Sequence, residues 1–341
     1  MEKYMKLELK DRVKSTGGRI LLAILVIIAS VLCSLLSQLG IILIPVISVL
    51  LTILYISERG AKPTISLTVS VLLIVSDLIL NSLYSLCALV SVIIALLVYF
   101  SLTRSIFTKG ECAIVVTFVI AILFGYMTFT SAFYEIGRVD FAAALEHFGK
   151  ITEEVKDLWR EAINSFIAAA PAGKLPEELT PELLEAMFDS ALAATVSVVV
   201  IFSFLVAGIT FKLLGAVLGA VLVDREDIDA WRFMLSPAYA YAYVISYFVS
   251  MFFTEANVFS IAIINFVNAF AAILAYIGFV FVISVLEQRF SSKLAAVIVA
   301  VIALLMFSTA AVPILAFAGT FAVIMYDKAK KLEGRDDSKN P

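Results

Sequence analysis

Residues 64–103 read "TISLTVSVLLIVSDLILNSLYSLCALVSVIIALLVYFSLT", two apolar segments separated by the polar residues Asn81 and Ser82. A helix needs about 20 predominantly apolar residues to cross the hydrocarbon core of a bilayer. The segments 64–81 and 83–103 are close to that length, and a short polar turn is typical of the connection between two helices. This stretch therefore predicts two adjacent transmembrane helices.

The same pattern extends over most of the chain. Of the 341 residues, 62% are hydrophobic and 16% are charged, whereas soluble domains are about a quarter charged. The sequence predicts an all-α, polytopic helical membrane protein with about ten spans (eight to ten), because the run 294–326 is open to one helix or two short ones. The candidate spans are 20–37, 39–56, 64–81, 83–103, 112–134, 190–211, 237–254, 258–286, 294–309 and 311–326.

The distribution of Lys and Arg predicts the orientation of these spans. Cytoplasmic loops carry an excess of both residues, and the two terminal segments, 1–19 and 327–341, are basic. If the N-terminus is cytoplasmic, alternation of ten spans puts twenty of the 25 basic residues on the inner side. We therefore expect both termini in the cytoplasm.

One long connection, 135–189, contains the other basic residues together with twelve acids. Apolar residues recur at intervals of three and four from Phe141 to Phe166, which predicts an amphipathic helix. Thr180 followed by Pro181 predicts the start of a second helix. We expect an extracytoplasmic amphipathic helical hairpin here. The hairpin divides the chain into a basic cytoplasmic N-terminus (1–19), a five-span N-terminal half (20–134), the hairpin (135–189), a C-terminal membrane half (190–326) and a basic cytoplasmic tail (327–341).

Asp77 lies inside an otherwise apolar run. An acid in hydrocarbon costs about 2.5–3.5 kcal/mol on insertion scales unless it faces protein or a water-filled cavity. Ser66, Ser70, Asp77 and Asn81 recur at helical spacing, so they share one face of the predicted helix. Two interpretations of Asp77 are open. The acid binds a ligand or handles protons, or it caps a turn near the outer surface.

Polar residues in the outer halves of other predicted spans favour a pocket that opens outwards. The candidate substrate-binding residues are Asp77, Asn81, Tyr84, Tyr126, Thr130, Asn265 and Asn268. Polar side chains inside membranes also join helices through hydrogen bonds of about 0.6 kcal/mol each. For Asn265 and Asn268 this structural interpretation stays open beside the binding one.

Few residues predict catalysis. His147 is the only histidine, and no nucleophile or second ligand pairs with it at a recognisable spacing. The sequence has no Walker-type phosphate loop and no Gly-rich dinucleotide turn, and its three cysteines have neither zinc-site nor disulfide-framework spacing. We expect no enzymatic activity, catalytic residue, metal ligand, cofactor or nucleic-acid partner.

Several stretches occur in an order that resembles the YybS-like family of predicted bacterial polytopic membrane proteins. They are the outer pair "EEVKDLWREAINSF" and "PEELTPELLEAMF", then "WRFMLSP", and finally "LAYIGFVFVISVLEQRF" and "AFAGTFAVIMYDKAKK". That family, in its N-terminal spans, looks like the S components of energy-coupling-factor transporters. S components commonly have an AxxxA docking motif in their first helix, whereas Ala23 and Ala29 here have a different spacing.

The resemblance implies a multi-pass protein of the bacterial cell membrane that binds a small, vitamin-like solute on the outside. Its partners would be the lipid bilayer, the solute, and separate ATPase and coupling membrane subunits. The alternative is a noncatalytic membrane scaffold for envelope assembly or sporulation, in which the acidic hairpin binds envelope proteins. The alternative is motivated by the amphipathic stripe 141–166, which must be buried against a second helix or another chain.

Overall fold

The computed structural model describes residues 7–35, 41–59, 62–80, 86–104, 107–169, 180–223, 235–253, 258–307 and 310–336. Apart from one isolated β-bridge, the regular elements in this part of the chain are helices. In chain order they are α1 (Asp11–Lys14), α2 (Thr16–Leu35), α3 (Ile44–Ser57), α4 (Thr64–Leu80), α5 (Cys87–Arg104), α6 (Lys109–Ile136), α7 (Phe141–Ala169), α8 (Pro181–Ala193), α9 (Thr195–Val221), α10 (Pro237–Ser250), α11 (Val258–Phe290), α12 (Lys293–Phe307) and α13 (Ala311–Asp336).

Each of the ten apolar segments predicted as spans overlaps a described helix. The segment 190–211 crosses the junction between α8 and α9, and the run 294–326 contains two helices, α12 and α13. Six of the described helices are long and apolar enough to cross a membrane by length and composition. They are α2, α5, α6, α9, α11 and α13. Eight to ten spans would require some of the shorter helices to cross as well, so that number stays a prediction, as does the orientation of the termini.

The buried apolar residues form two clusters. The first core contains residues of α2 to α6 and of the C-terminal part of α9. At its centre lies α3, of whose fourteen residues twelve are buried, as expected for a helix that is apolar on all sides. The second core is formed mainly by α10, α11 and α13 around Tyr243 and Leu274, and α6 and α9 each add one residue, Ile114 and Phe204. Because α9 contributes to both cores, it joins the two halves of the membrane region.

The helices α11 and α13 approach each other most closely at two glycines. A Cβ atom added to Gly278 would overlap the carbonyl oxygen of Leu315, and one added to Gly319 would overlap that of Leu274. Both helices have the same local sequence, Leu-Ala-aromatic-x-Gly, at 274–278 and 315–319. Small residues at a membrane helix crossing let the two backbones touch. The glycines therefore set the distance between α11 and α13.

A short N-terminal segment, residues 7–10, is joined to the end of α9. Leu9 forms an antiparallel bridge with Leu222, and the backbone N–H of Lys10 donates to the oxygen of Val221 at 2.9 Å. The Lys10 ammonium donates to the Ala220 oxygen at 2.8 Å, where the carbonyls of a helix end lack intrahelical donors. The basic segment 1–19, predicted only as a cytoplasmic terminus, thus includes residues that cap the C-terminus of α9.

Candidate functional site

The carboxylate of Asp77 caps the N-terminus of the next helix. Its Oδ2 atom accepts the backbone N–H groups of Ala88 at 2.8 Å and Leu89 at 3.1 Å, in the first turn of α5. The side chain is 2% exposed. The first amides of a helix have no intrahelical acceptor, and a negative charge there is favoured by the helix dipole. Asp77 thus has the contacts expected of a capping acid, and its role in ligand binding stays a prediction.

A second buried acid, Glu58, has the same relation to α4. Its Oε1 atom accepts the N–H of Ile65 and its Oε2 atom accepts the N–H of Ser66, both at 3.0 Å. The Ser66 hydroxyl donates to the same carboxylate, and Glu58 is 3% exposed. Sequence reasoning missed Glu58 because it stands beside basic loop residues. The available signal was the position of Glu58, an acid a few residues before the start of α4, which is typical of a residue that caps a helix.

The polar face predicted for α4 is buried against its neighbours. Ser66 contacts Glu58, and Asp77 contacts the start of α5. Ser70 lies between them in sequence, and its hydroxyl is 2.7 Å from the Tyr55 hydroxyl of α3. This face therefore joins α4 to α3 and α5 by hydrogen bonds.

Asn265 of α11 holds the junction between α8 and α9. Its Oδ1 atom accepts the Ser197 backbone N–H at 2.8 Å and the Ser197 hydroxyl at 2.6 Å. Its amide nitrogen donates to the oxygens of Ala193 at 2.7 Å and Ile261 at 2.9 Å. An Asn side chain has two donors and two acceptor sites, and all are used here. The structural interpretation accounts for every hydrogen-bonding group of this residue.

The other candidate substrate-binding residues do not form a site with Asp77 or Asn265. The Thr130 hydroxyl donates within α6 to the oxygens of Tyr126 at 2.9 Å and Met127 at 3.0 Å. Tyr126 is half-buried and Asn268 is exposed. Asn81 and Tyr84 lie outside the described residues. Asp77 contacts helices of the first core and Asn265 contacts the junction beside the second, so these two predicted ligands have separate surroundings.

An apolar cleft lies between α6, α9 and α11. Its volume is about 420 Å³. Two of its lining residues have polar side chains, Thr117 and Asn265, and the Thr117 hydroxyl donates to the Ala113 oxygen at 2.7 Å. Sequence reasoning missed this cleft because its walls are ordinary apolar residues. The lining residues are Ile114, Thr117, Phe118, Val196, Val200, Ile261, Ala262, Asn265, Phe266, Ala269, Phe270 and Ile273.

Helices α7 and α8, which lie in the connection predicted as an extracytoplasmic hairpin, are joined by ion pairs. The extracytoplasmic position stays a prediction. The Lys156 ammonium lies 2.9 Å from an Asp189 oxygen and 3.3 Å from a Glu185 oxygen, and the Arg160 guanidinium lies 2.6 Å from Glu185. Hydrogen bonds from Arg160 and then Lys156 lower the pKa of Glu185 from its ordinary value. Ion pairs therefore connect α8 to α7 on an exposed surface.

These ion pairs predict that the hairpin loosens in acid. Because the pKa of Glu185 is lower in the folded hairpin, its stabilisation is complete above the ordinary value of 4.5 and is lost as the pH falls through the lowered value. We expect amide hydrogen exchange in α8, corrected for the intrinsic rate, to become faster than at neutral pH as the pH falls below the ordinary value of 4.5. A Glu185→Gln variant should exchange faster already at neutral pH. Equal protection of α8 at both pH values would contradict the prediction.

The part of the chain that the structure describes contains no group of three or more His, Cys, Asp or Glu residues that could hold a metal ion.

No curated protein matches the chain, and no solved structure matches it. The model of one protein family, described as "Predicted membrane protein (DUF2232)", matches residues 20–321. That match covers both halves of the membrane region and the hairpin between them. The chain therefore belongs to this family of predicted membrane proteins, DUF2232.

Proposed function

We propose that this protein binds a molecule by its apolar part in the cleft between α6, α9 and α11, as the ligand-binding subunit of an uptake system whose ATPase is a separate chain. The observation that carries the proposal is the cleft itself. Small-molecule sites are mostly apolar and have volumes of about 300–1,000 Å³, a range that includes this cleft. Its two polar side chains bond to the protein, so the walls offer a ligand apolar contact.

Binding in the apolar cleft is energetically favoured over binding of a polar solute to Asp77. A solute that bound the Asp77 carboxylate would have to replace the buried amides of Ala88 and Leu89 as its partners. An unsatisfied buried amide costs about 1–3 kcal/mol. The cleft can be occupied without breaking any of these bonds. The cleft therefore favours a ligand with an apolar part over a solute bound at Asp77.

The uptake role itself rests on the resemblance to YybS-like proteins and, through them, to S components. Such proteins are expected to capture a solute and to leave ATP hydrolysis to partner subunits. Purification in mild detergent, followed by mass spectrometry of co-eluting proteins and small molecules, tests this role. A transporter ATPase together with one enriched apolar metabolite is the expected result. Absence of both would contradict the uptake role.

Filling the cleft should remove the ligand. Ala262 lines the cleft and is exposed to it, so Ala262→Phe places a ring in the space without entering either packed core. We expect the co-purifying metabolite to fall at least tenfold, because loss of about 1.4 kcal/mol of apolar contact is enough for that change. The control is Ala238→Phe at an exposed alanine of α10. An unchanged metabolite in Ala262→Phe would contradict binding in the cleft.

A second function, the membrane scaffold, is favoured by the exposed face of α7. Leu145 is 61% and Val155 is 46% exposed on the apolar stripe of this helix, although Trp159 packs on Phe188 of α8. A protein partner could cover such a face. Envelope proteins that co-purify with the intact chain, and are lost on deletion of 138–186, would favour the scaffold. The same deletion should leave a metabolite in the cleft bound if the uptake role is correct.

A further inference from the structure

A second cavity, of about 230 Å³, lies on the same three helices as the apolar cleft. Two of its lining residues are lysines from different helices, Lys109 of α6 and Lys212 of α9, and a tyrosine of α11, Tyr276, lies with them. The remaining wall is apolar. Its lining residues are Lys109, Phe204, Leu205, Gly208, Ile209, Phe211, Lys212 and Tyr276.

The two cavities follow one another along the helices. On α9 the apolar cleft is lined by Val196 and Val200, and the second cavity by residues from Phe204 to Lys212. On α11 the cleft extends to Ile273, and the second cavity includes Tyr276. With a rise of about 1.5 Å per residue, Val200 and Lys212 are separated by about 18 Å along the α9 axis. A molecule that occupies both cavities needs a long apolar part and a short part beside the lysines.

The charge of the two lysines indicates the chemistry of the part of the ligand that lies beside them. Lys109 and Lys212 both line this cavity, and two like charges that line one cavity favour an anion beside them. Lys109 also lies in the first turn of α6, where the helix dipole adds a positive potential. Among the described residues, no acid forms an ion pair with Lys212.

The second cavity also has room for a headgroup. A Cβ atom added to Gly208 would meet nothing within 4 Å. The side chain of Lys212 is exposed. In the predicted orientation, Lys109 and Lys212 lie towards the cytoplasmic leaflet, which is rich in anionic lipids.

We propose that the ligand is an anionic amphiphile, a phosphate-bearing lipid whose headgroup binds Lys109 and Lys212 and whose acyl chain lies in the apolar cleft. The proposal rests on the proposed function, since it assigns the class of molecule that the cleft binds. Each lysine near an anionic headgroup contributes enough to change the affinity about fivefold. Two lysines should therefore favour an anionic over a zwitterionic lipid by about 25-fold.

The test is native mass spectrometry of the full-length protein in neutral detergent, titrated with phosphatidylglycerol or with phosphatidylcholine of the same acyl chains. We expect tighter binding of phosphatidylglycerol, and a decrease of about fivefold in its affinity in each of Lys109→Gln and Lys212→Gln. Phosphatidylcholine affinity should not change. Lys62→Gln is the control, because Lys62 is an exposed lysine that does not line the cavity. Equal affinity for the two lipids, or an equal effect of Lys62→Gln, would overturn the proposal.

Two further arms separate the possible failures. Excess inorganic phosphate should not displace phosphatidylglycerol, and complete displacement would overturn the lipid assignment in favour of a free anion. Ala262→Phe should weaken both lipids alike. If it does so while both lysine variants bind normally, the charge proposal fails and the cleft remains a binding site. If the lysine variants act and Ala262→Phe has no effect, the function proposed for the cleft fails.

Discussion

Gly278→Ala is expected to destabilise the protein by about 3 kcal/mol, at the upper end of the usual cost of overpacking. The added methyl group would overlap the backbone oxygen of Leu315 and lie 2.7 Å from the amide nitrogen of Gly319. Neither atom belongs to a side chain that could rotate away, so α11 and α13 would have to separate. The measurement is the thermal midpoint for loss of the monodisperse peak in size-exclusion chromatography.

Gly125→Ala is the matched control for this variant. Gly125 also lies within a long apolar helix, α6, but a Cβ atom there would meet nothing within 4 Å. Because Ala has a higher helix propensity than Gly by about 1 kcal/mol, this variant should be as stable as the parent or slightly more stable. Gly319→Ala should behave like Gly278→Ala. Parental stability of both crossing variants would show that α11 and α13 do not touch at this point.

Asp77→Ala is expected to destabilise the protein by about 2–3 kcal/mol. The change leaves the buried amides of Ala88 and Leu89 without the carboxylate that accepts them, and hydrogen bonds to charged groups contribute about 1.5–3 kcal/mol. Asp77→Asn should lose less, because its amide oxygen can still accept a hydrogen bond. The buried thiol of Cys87 stands at the start of α5. With the other two buried thiols, Cys33 and Cys112, replaced by alanine, its reaction with a maleimide dye during heating provides a local readout.

Glu58→Ala is the comparison that separates structure from binding. Glu58 caps α4 as Asp77 caps α5, and neither acid lines the apolar cleft. If Asp77 is a structural acid, both variants should have lower thermal midpoints, and the fraction that stays folded should retain the co-purifying metabolite. A stable Asp77→Ala protein that has lost its metabolite would contradict this account and restore the ligand-binding interpretation.

Much of the helical architecture follows from local sequence. The apolar segments coincide with helices because hydropathy and length are properties of each segment alone. The start of α8 is another local feature, and the prediction at Thr180 and Pro181 is confirmed. The Thr180 hydroxyl accepts the Leu183 N–H at 3.2 Å, and Pro181 is the first residue of the helix.

The candidate site was harder to predict because it depends on which helices become neighbours. Periodicity places Ser70 and Asp77 on one face of α4, but it does not say that this face meets Tyr55 and the start of α5. A polar face that is satisfied by neighbouring helices has the same sequence pattern as one that lines a pocket. The apolar cleft could not be predicted either, because its wall residues have the same composition as a packed core.

The bridge between Leu9 and Leu222 constrains the order of biosynthesis. These residues are 213 positions apart in sequence, so the contact forms only after about two thirds of the chain has left the ribosome. Until then Leu7 and Leu9, both buried in the finished protein, have no C-terminal end of α9 to pack against. Helices α2 to α6 are therefore synthesised before the N-terminal segment can close, and the first core is completed by residues from the second half of the chain.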